Sequence, residues 1–516
     1  MQIYFASQKL RHTWRHGGYD TIIGMNSVRA ALRLSFIERY ALIALALLSS
    51  VLLARLLTPH EIGIYSVTAA LVGMLQVIRE FGVGNYLIQE RELTTAKLET
   101  AFGFSLVAGS TMFLGAFLLA PQLANFYADP QVAPMLRVIC LNFLILPFCS
   151  IGLSMLRRTM RFDRLLTANL AAGVCGFFVT IGLVLLGVGP ASLAWGTVAC
   201  NAVTAVAVWK ALTSAERPAR PRLAEWRSLV SYGRQSTFAS VITSAAIDVN
   251  DLVVGKILGF APVAFLSRAM GLMNLYQRDL MNAARNVAFP AFAQTHREGK
   301  QLEPMFVHSS AIVTGVGWPF YGFLCLFPLE MLRLMAGTQW DAAADLVVVF
   351  ALAGAIISPV TLTQTLVLAV GRVDLASRAD VVVSLLRLGL AVGAVVIFRD
   401  LMAVAMAFLI SFALSVPILL AFKQRCLPTD WSGLLRQSAR SLAVTCATLT
   451  VPALLSLTAG FQRTEPLPIW GFFLVCLMAV ASWVIGLRVF NHPIDSDPFY
   501  QLLCRRIGFP PAARKA

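Results

Sequence analysis

Arg278 and Arg285 stand seven residues apart, two turns of an α-helix, so one helix face is expected to carry both. Arg268 lies on the same stretch, displaced by roughly a quarter turn. Upstream, Arg234 and Asp248 are fourteen apart and share a face, with Asp251 near it. Arg79 is followed by Glu80 and Asn85, and Arg387 completes a set of six arginines inside otherwise apolar segments. A guanidinium presents a planar fork of donors that matches phosphate or pyrophosphate oxygens. If all six faced lipid, the cost would be on the order of 15–20 kcal/mol, more than the stability of most proteins. They are therefore expected to face a water-filled cavity or acidic partners. Internal pairing would join Arg278 to an aspartate of the neighbouring span and Arg79 to Glu80 or Glu38. Basic residues outnumber the acids available at depth, so a cationic cavity for an anionic substrate is the stronger expectation. Asp248, Asp251 and Asp279 are the acids placed to balance charge or to hold a coupling cation, proton or sodium.

The elements that carry these residues follow from composition. Of 516 residues, 58% are hydrophobic and only 13% charged, with a mean hydropathy of +0.73. A soluble domain carries about a quarter charged residues, so the composition argues against a water-soluble enzyme of this length. Lys and Arg total 42 against 26 Asp and Glu, a surplus of 16. With no soluble basic domain, that surplus points to membrane orientation and not to nucleic acid. Measured against the roughly 20 apolar residues that cross a bilayer, the chain holds about fourteen spans, beginning at 35–57 and ending at 468–490. The seventh (229–258) and eighth (262–292) are the least hydrophobic. The N-terminal tail and the segments after even-numbered spans hold about 28 basic residues, those after odd-numbered spans about three. That asymmetry puts both termini in the cytoplasm. Residues 1–34 read as a polar tail without a cleavable signal peptide.

Two segments repeat. LLARLLTPHEIGIYSVTAAL (52–71) aligns without a gap on VVGKILGFAPVAFLSRAMGL (253–272) at an offset of 201, and MRFD (160–163) on GRVD (371–374) at 211. Both halves enter the membrane in the same sense, as parallel repeats do. The expected organisation is an N-lobe of six helices over 35–212, a cytoplasmic linker over 213–228 and a second lobe of six over 229–423. Two additional C-terminal helices over 424–490 and a cytoplasmic tail over 491–516 complete it. The fold class is an all-α polytopic membrane protein. Pro147 and Pro359 fall within one residue of equivalence and are expected to kink their helices. GKILG (255–259) reads as close helix packing. HExxH, GxSxG, Walker and GxGxxG sequences are absent, which removes a self-contained ATP-driven pump. The nine cysteines form no CxxC pair, so no metal site is expected.

The run Arg79-Glu80-Phe81-Gly82-Val83-Gly84-Asn85-Tyr86-Leu87-Ile88-Gln89 resembles the "acidic-Phe-Gly … Leu-Ile-Gln" signature of bacterial polysaccharide flippases. These form a family within the multidrug/oligosaccharidyl-lipid/polysaccharide exporter superfamily. The stretch before it, and VNDLVVGKILGFAPVAFLSRAMGL with NVAFPAF (286–292), are similar to the same family, over roughly 35–425 in all. Members commonly place an aspartate before Asn or Lys; here the order is Asn250-Asp251. The resemblance implies two lobes rocking about a central cavity, with alternating access and no enzymatic activity or cofactor. It implies a substrate too: an undecaprenyl-pyrophosphate-linked oligosaccharide, crossing the bacterial inner membrane for O-antigen, capsule or exopolysaccharide synthesis. Expected partners are that glycan, membrane lipids, a polysaccharide polymerase and a chain-length regulator. Lipid II flipping and cation-coupled drug antiport are the alternatives within the superfamily. A membrane glycosyltransferase is disfavoured by the short periplasmic connections.

Overall fold

The computed structural model describes residues 41–90, 92–227, 229, 244, 248–458, 467–497 and 500–501. Among these every regular element is helical. Eleven helices are long and apolar enough to cross a membrane, from Pro59–Gln89 to Trp470–Val489. They coincide with eleven of the expected spans to within a turn or two. The first expected span is seen as α1 (Ala41–Leu56). Most of the seventh lies outside the described residues; its end is α9 (248–257). The eighth is helical throughout, from Phe260 to Arg297, but its polar residues keep it out of the apolar class.

Local chemistry sets the helix ends. Before α2 (Pro59–Glu80), the Thr58 amide donates to Glu61 Oε2 at 2.8 Å and the Glu61 amide to Thr58 Oγ1 at 3.3 Å. This is a capping box with proline at the first helical position. Asp400 accepts the Ala403 amide at the start of α17 (Leu401–Gln424). Asp430 accepts the Gly433 amide at the start of α18 (Trp431–Thr458). Helix α2 stops at two consecutive left-handed residues, Phe81 (φ 41°) and Gly82 (φ 69°), before α3 (Val83–Gln89) resumes. The Phe-Gly of the resemblance is thus a built break in the second span.

The 211 repeat is a repeat of backbone shape. Met160 (φ 58°) and Gly371 (φ 86°) are both left-handed. Arg161 (φ −85°, ψ 66°) and Arg372 (φ −89°, ψ 61°) then cap α7 (Phe162–Leu185) and α16 (Val373–Phe398). The Arg161 amide donates to Leu156 O at 3.0 Å and the Arg372 amide to Val367 O at 3.1 Å. The 201 repeat holds as well: α2 begins at Pro59 and α10 (Phe260–Asn274) at Phe260. Its paired cations do the same work. Arg55 Nη2 donates to Leu334 O at 2.8 Å, and Lys256 Nζ donates to Phe126 O. Each thereby satisfies a carbonyl in the last turn of another helix.

The two prolines of the repeat part company. Pro359 sits in a 3₁₀ break, Ser358–Val360, that divides the tenth span into α14 (Ala344–Ile357) and α15 (Thr363–Ala369). Helix α6 (Asn142–Arg158) runs on through Pro147. Proline leaves the carbonyl four residues back without its helical donor. There Gly109 of α4 (Thr95–Tyr127) packs so close that a Cβ would stand 2.4 Å from Phe143 O. Of GKILG, Gly255 packs against Val67 as expected, while Gly259 (φ 95°) makes the turn into α10.

The chain divides into two compact units. One comprises the described parts of Met1–Leu53, Arg79–Gln122 and Ala133–Ser236; the other those of Ala54–Ile78, Leu123–Val132 and Thr237–Ala516. The first unit has a core of Val83, Leu87, Leu98, Phe102, Ile151 and Leu156. Within the second, Trp340 Nε1 donates to Ala54 O at 2.8 Å and the Tyr127 hydroxyl to Leu252 O at 3.2 Å. These bonds tie 54–78 and 123–132 to the later helices.

Candidate functional site

In the first unit, Arg79 closes α2 and is 2% exposed. Its Nη2 lies 3.4 Å from Ser150 Oγ, while Nε and Nη1 meet no acceptor among the described residues. A buried guanidinium normally satisfies most of its donors. Glu80, named above as a partner, makes no hydrogen bond to it. Glu38 and Arg234 lie outside the described residues.

The other arginines and the aspartates belong to the second unit. Helix α10 continues through a π-helical turn, Leu275–Leu280, into α11 (Met281–Arg297). The wider turn breaks the two-turn register between Arg278 and Arg285, since a π-turn closes on the fifth residue rather than the fourth. Arg278 is 69% exposed and pairs with its neighbour Asp279 at 3.0 Å, not with an aspartate of the seventh span. Arg285 is half-buried. It donates from Nη2 to Gln277 O, inside the π-turn, at 3.2 Å, and from Nη1 to Asn282 Oδ1 at 3.3 Å. Gln277 Nε2 in turn donates to Thr361 Oγ1 at 3.0 Å. That bond joins the π-turn of the eighth span to the 3₁₀ break of the tenth.

Arg268 and Arg387 rest on aromatic faces. The Arg268 guanidinium carbon is 4.9 Å from the Trp340 ring centroid, and that of Arg387 4.5 Å from Phe412, with Arg387 Nε buried and without an acceptor. Cation–π contact contributes about 1–2 kcal/mol when desolvated. Asp248 and Asp251 lie three apart on α9. A Cβ at Gly73 of α2 would stand 3.3 Å from Asp248 Oδ2, so the glycine makes room for the carboxylate.

The sequence reading missed Ser150, Trp340 and Phe412, each on a different helix from the arginine it meets, and Gln277 and Thr361, which bond to each other from different spans. Only the Pro359 neighbourhood offered a local signal for one of them. No cluster of three metal-ligating side chains occurs among the described residues.

Eleven helices long and apolar enough to cross a membrane, together with buried and half-buried arginines among the described residues, define an all-helical polytopic membrane protein. It is similar to the lipid II flippase MurJ in an inward closed conformation, with a TM-score of 0.71 at 12% identity, covering 92% of this chain and 99% of that one. An inward-facing multidrug resistance MATE family transporter of the MOP superfamily gives 0.59 at 14% identity, covering 74% and 93%. The chain belongs to the polysaccharide biosynthesis protein family, whose model matches residues 52–345. It is 21% identical to the lipopolysaccharide biosynthesis protein WzxC of Escherichia coli (strain K12) over 67% of this chain and 71% of that protein. It is 25% identical to the succinoglycan biosynthesis transport protein ExoT of Rhizobium meliloti (strain 1021), over 60% and 62%.

Proposed function

We propose that this protein is a flippase that moves undecaprenyl-pyrophosphate-linked oligosaccharide units from the inner to the outer leaflet of the bacterial inner membrane, with both termini cytoplasmic. The observation that carries this reading is Arg79, a fully buried guanidinium with two nitrogens short of acceptors. It lies within the family's matched residues. A buried charge left short of partners is costly, and a pyrophosphate supplies the acceptors it lacks. In this reading Arg285, Arg278 and, as second choices, Arg268 and Arg387 are further anion contacts used during an alternating-access cycle, and the lipid tail stays in the bilayer. Asp248 and Asp251 balance charge or take the coupling cation. No bond is made or broken, so the protein is not an enzyme. The glycan passes to a polymerase and chain-length regulator on the far side.

The test is reconstitution in vesicles with a lipid-linked oligosaccharide, scoring glycan exposed to an outside glycosidase. Arg79→Gln is expected to lower the rate at least tenfold with the protein still folded. Wild-type rates in that variant would remove the reading.

A further inference from the structure

The segment between the sixth and seventh helices does more than connect them. Its residues 217–227 hold four arginines against one glutamate. It is fixed along the start of α4 through its backbone. The Arg222 amide donates to Glu99 O at 3.2 Å, the Arg220 amide to Glu99 Oε1 at 3.3 Å and the Glu225 amide to Thr100 Oγ1 at 3.3 Å. Arg222 Nε faces Glu99 Oε2 at 3.3 Å. Gly103 allows this approach, since a Cβ there would stand 2.3 Å from Arg222 O. Held this way, the strap turns outward Arg217, Arg220, Arg222 and Arg227, together with Leu223 (48% exposed) and Trp226 (47%). Cations beside an exposed tryptophan and leucine are the composition of a membrane–water interface.

Between strap and helix lies a cleft of about 580 Å³, lined by Leu106, Val107, Ser110 and Thr111 on one side and Pro221 and Arg222 on the other. From Gly103 to Thr111 it follows one helix face for roughly 12 Å, most of the roughly 15 Å of hydrocarbon in one leaflet. Its one lining cation, Arg222, stands at the Gly103 end with Arg220 exposed two residues before it on the strap, an end that the positive-inside rule puts at the cytoplasmic surface.

We propose that this cleft binds one anionic phospholipid of the cytoplasmic leaflet, its headgroup phosphate on Arg220 and Arg222 and an acyl chain along Leu106, Val107 and Thr111. A soluble phosphate would use the cations and leave the apolar floor empty. A polyprenyl chain would far overrun a groove one leaflet deep. Each arginine near the headgroups contributes about 1 kcal/mol toward an anionic lipid, so two give a preference of about thirtyfold.

The full chain, purified in detergent, is titrated with phosphatidylglycerol and phosphatidylcholine of identical acyl chains, and retained lipid is counted by native mass spectrometry. Wild type is expected to hold one phosphatidylglycerol with about thirtyfold preference. Arg220→Gln with Arg222→Gln is expected to abolish the preference. Val107→Trp, at a position 55% exposed and so outside the core, is expected to reduce retention of both lipids. Equal retention of the two lipids by wild type, or a preference that survives in the double variant, overturns the proposal. So does displacement of the lipid by millimolar glycerol phosphate, or by undecaprenyl phosphate more readily than by phosphatidylglycerol itself. None of these readings needs transport, so they stand apart from the flippase test.

Discussion

Met160 and Gly371 occupy the same step of one turn built twice, each left-handed and each followed by an arginine that caps the next helix. Only one copy uses the residue that the geometry favours. A left-handed non-glycine residue costs roughly 1 kcal/mol, and Met160 is 55% exposed, so little apolar burial offsets it. Met160→Gly is expected to raise stability by up to about 1 kcal/mol, and Gly371→Ala to lower it by a similar amount. Thermal unfolding of the two variants in detergent decides; shifts of the same sign would refute the equivalence.

Arg79 separates stability from function. Replacing a poorly satisfied buried charge by a neutral group removes an uncompensated desolvation cost. Arg79→Gln is therefore expected to unfold at the same or a higher temperature while flipping falls at least tenfold. A variant that loses both together would mark Arg79 as a structural residue.

The Gln277–Thr361 bond is expected to couple two helix irregularities. A hydrogen bond between membrane helices contributes about 0.6–1.7 kcal/mol. Gln277→Leu and Thr361→Val, alone and combined, form a double-mutant cycle whose coupling energy should fall in that range. Strict additivity would show that the π-turn and the 3₁₀ break act independently.

His492, beyond the last span, makes the fold sensitive to acid. It is 1% exposed; its Nδ1 accepts the Ile494 amide at 3.3 Å, and its Nε2 lies 3.0 Å from Ser441 Oγ. Burial, aided by Arg440 and His308, pushes the imidazole down to about 4. The folded state thus resists a proton that the unfolded chain accepts near pH 6.5. Stability is full above pH 6.5 and declines as pH falls toward 4, by about 3 kcal/mol in all. Unfolding midpoints at pH 7.5, 5.5 and 4 measure this, and His492→Asn is expected to flatten the curve.

Much of the architecture was legible because its signals are local. Eleven spans follow from hydropathy. The start of α2 follows from Thr58-Pro59-His60-Glu61, and the duplication from two short matches whose backbones superpose in kind. The candidate site was legible in its residue types alone. Arg278 and Arg285 were read on one unbroken α-helix, whereas Arg278 lies inside a π-turn and Arg285 on the α-helix after it.

The sequence alone determined that this chain spans a membrane many times, repeats itself and carries cations at depth. Each of these is written in a residue's neighbours along the chain, through burial energy, helix period or capping chemistry. Only the tertiary structure decided what the cations meet. Ser150 near Arg79, Trp340 under Arg268, Phe412 under Arg387 and Glu99 beneath the arginine strap all lie on other elements. An electrostatic or aromatic contact depends on distance in space, and helix packing sets that distance through side chains tens or hundreds of residues away.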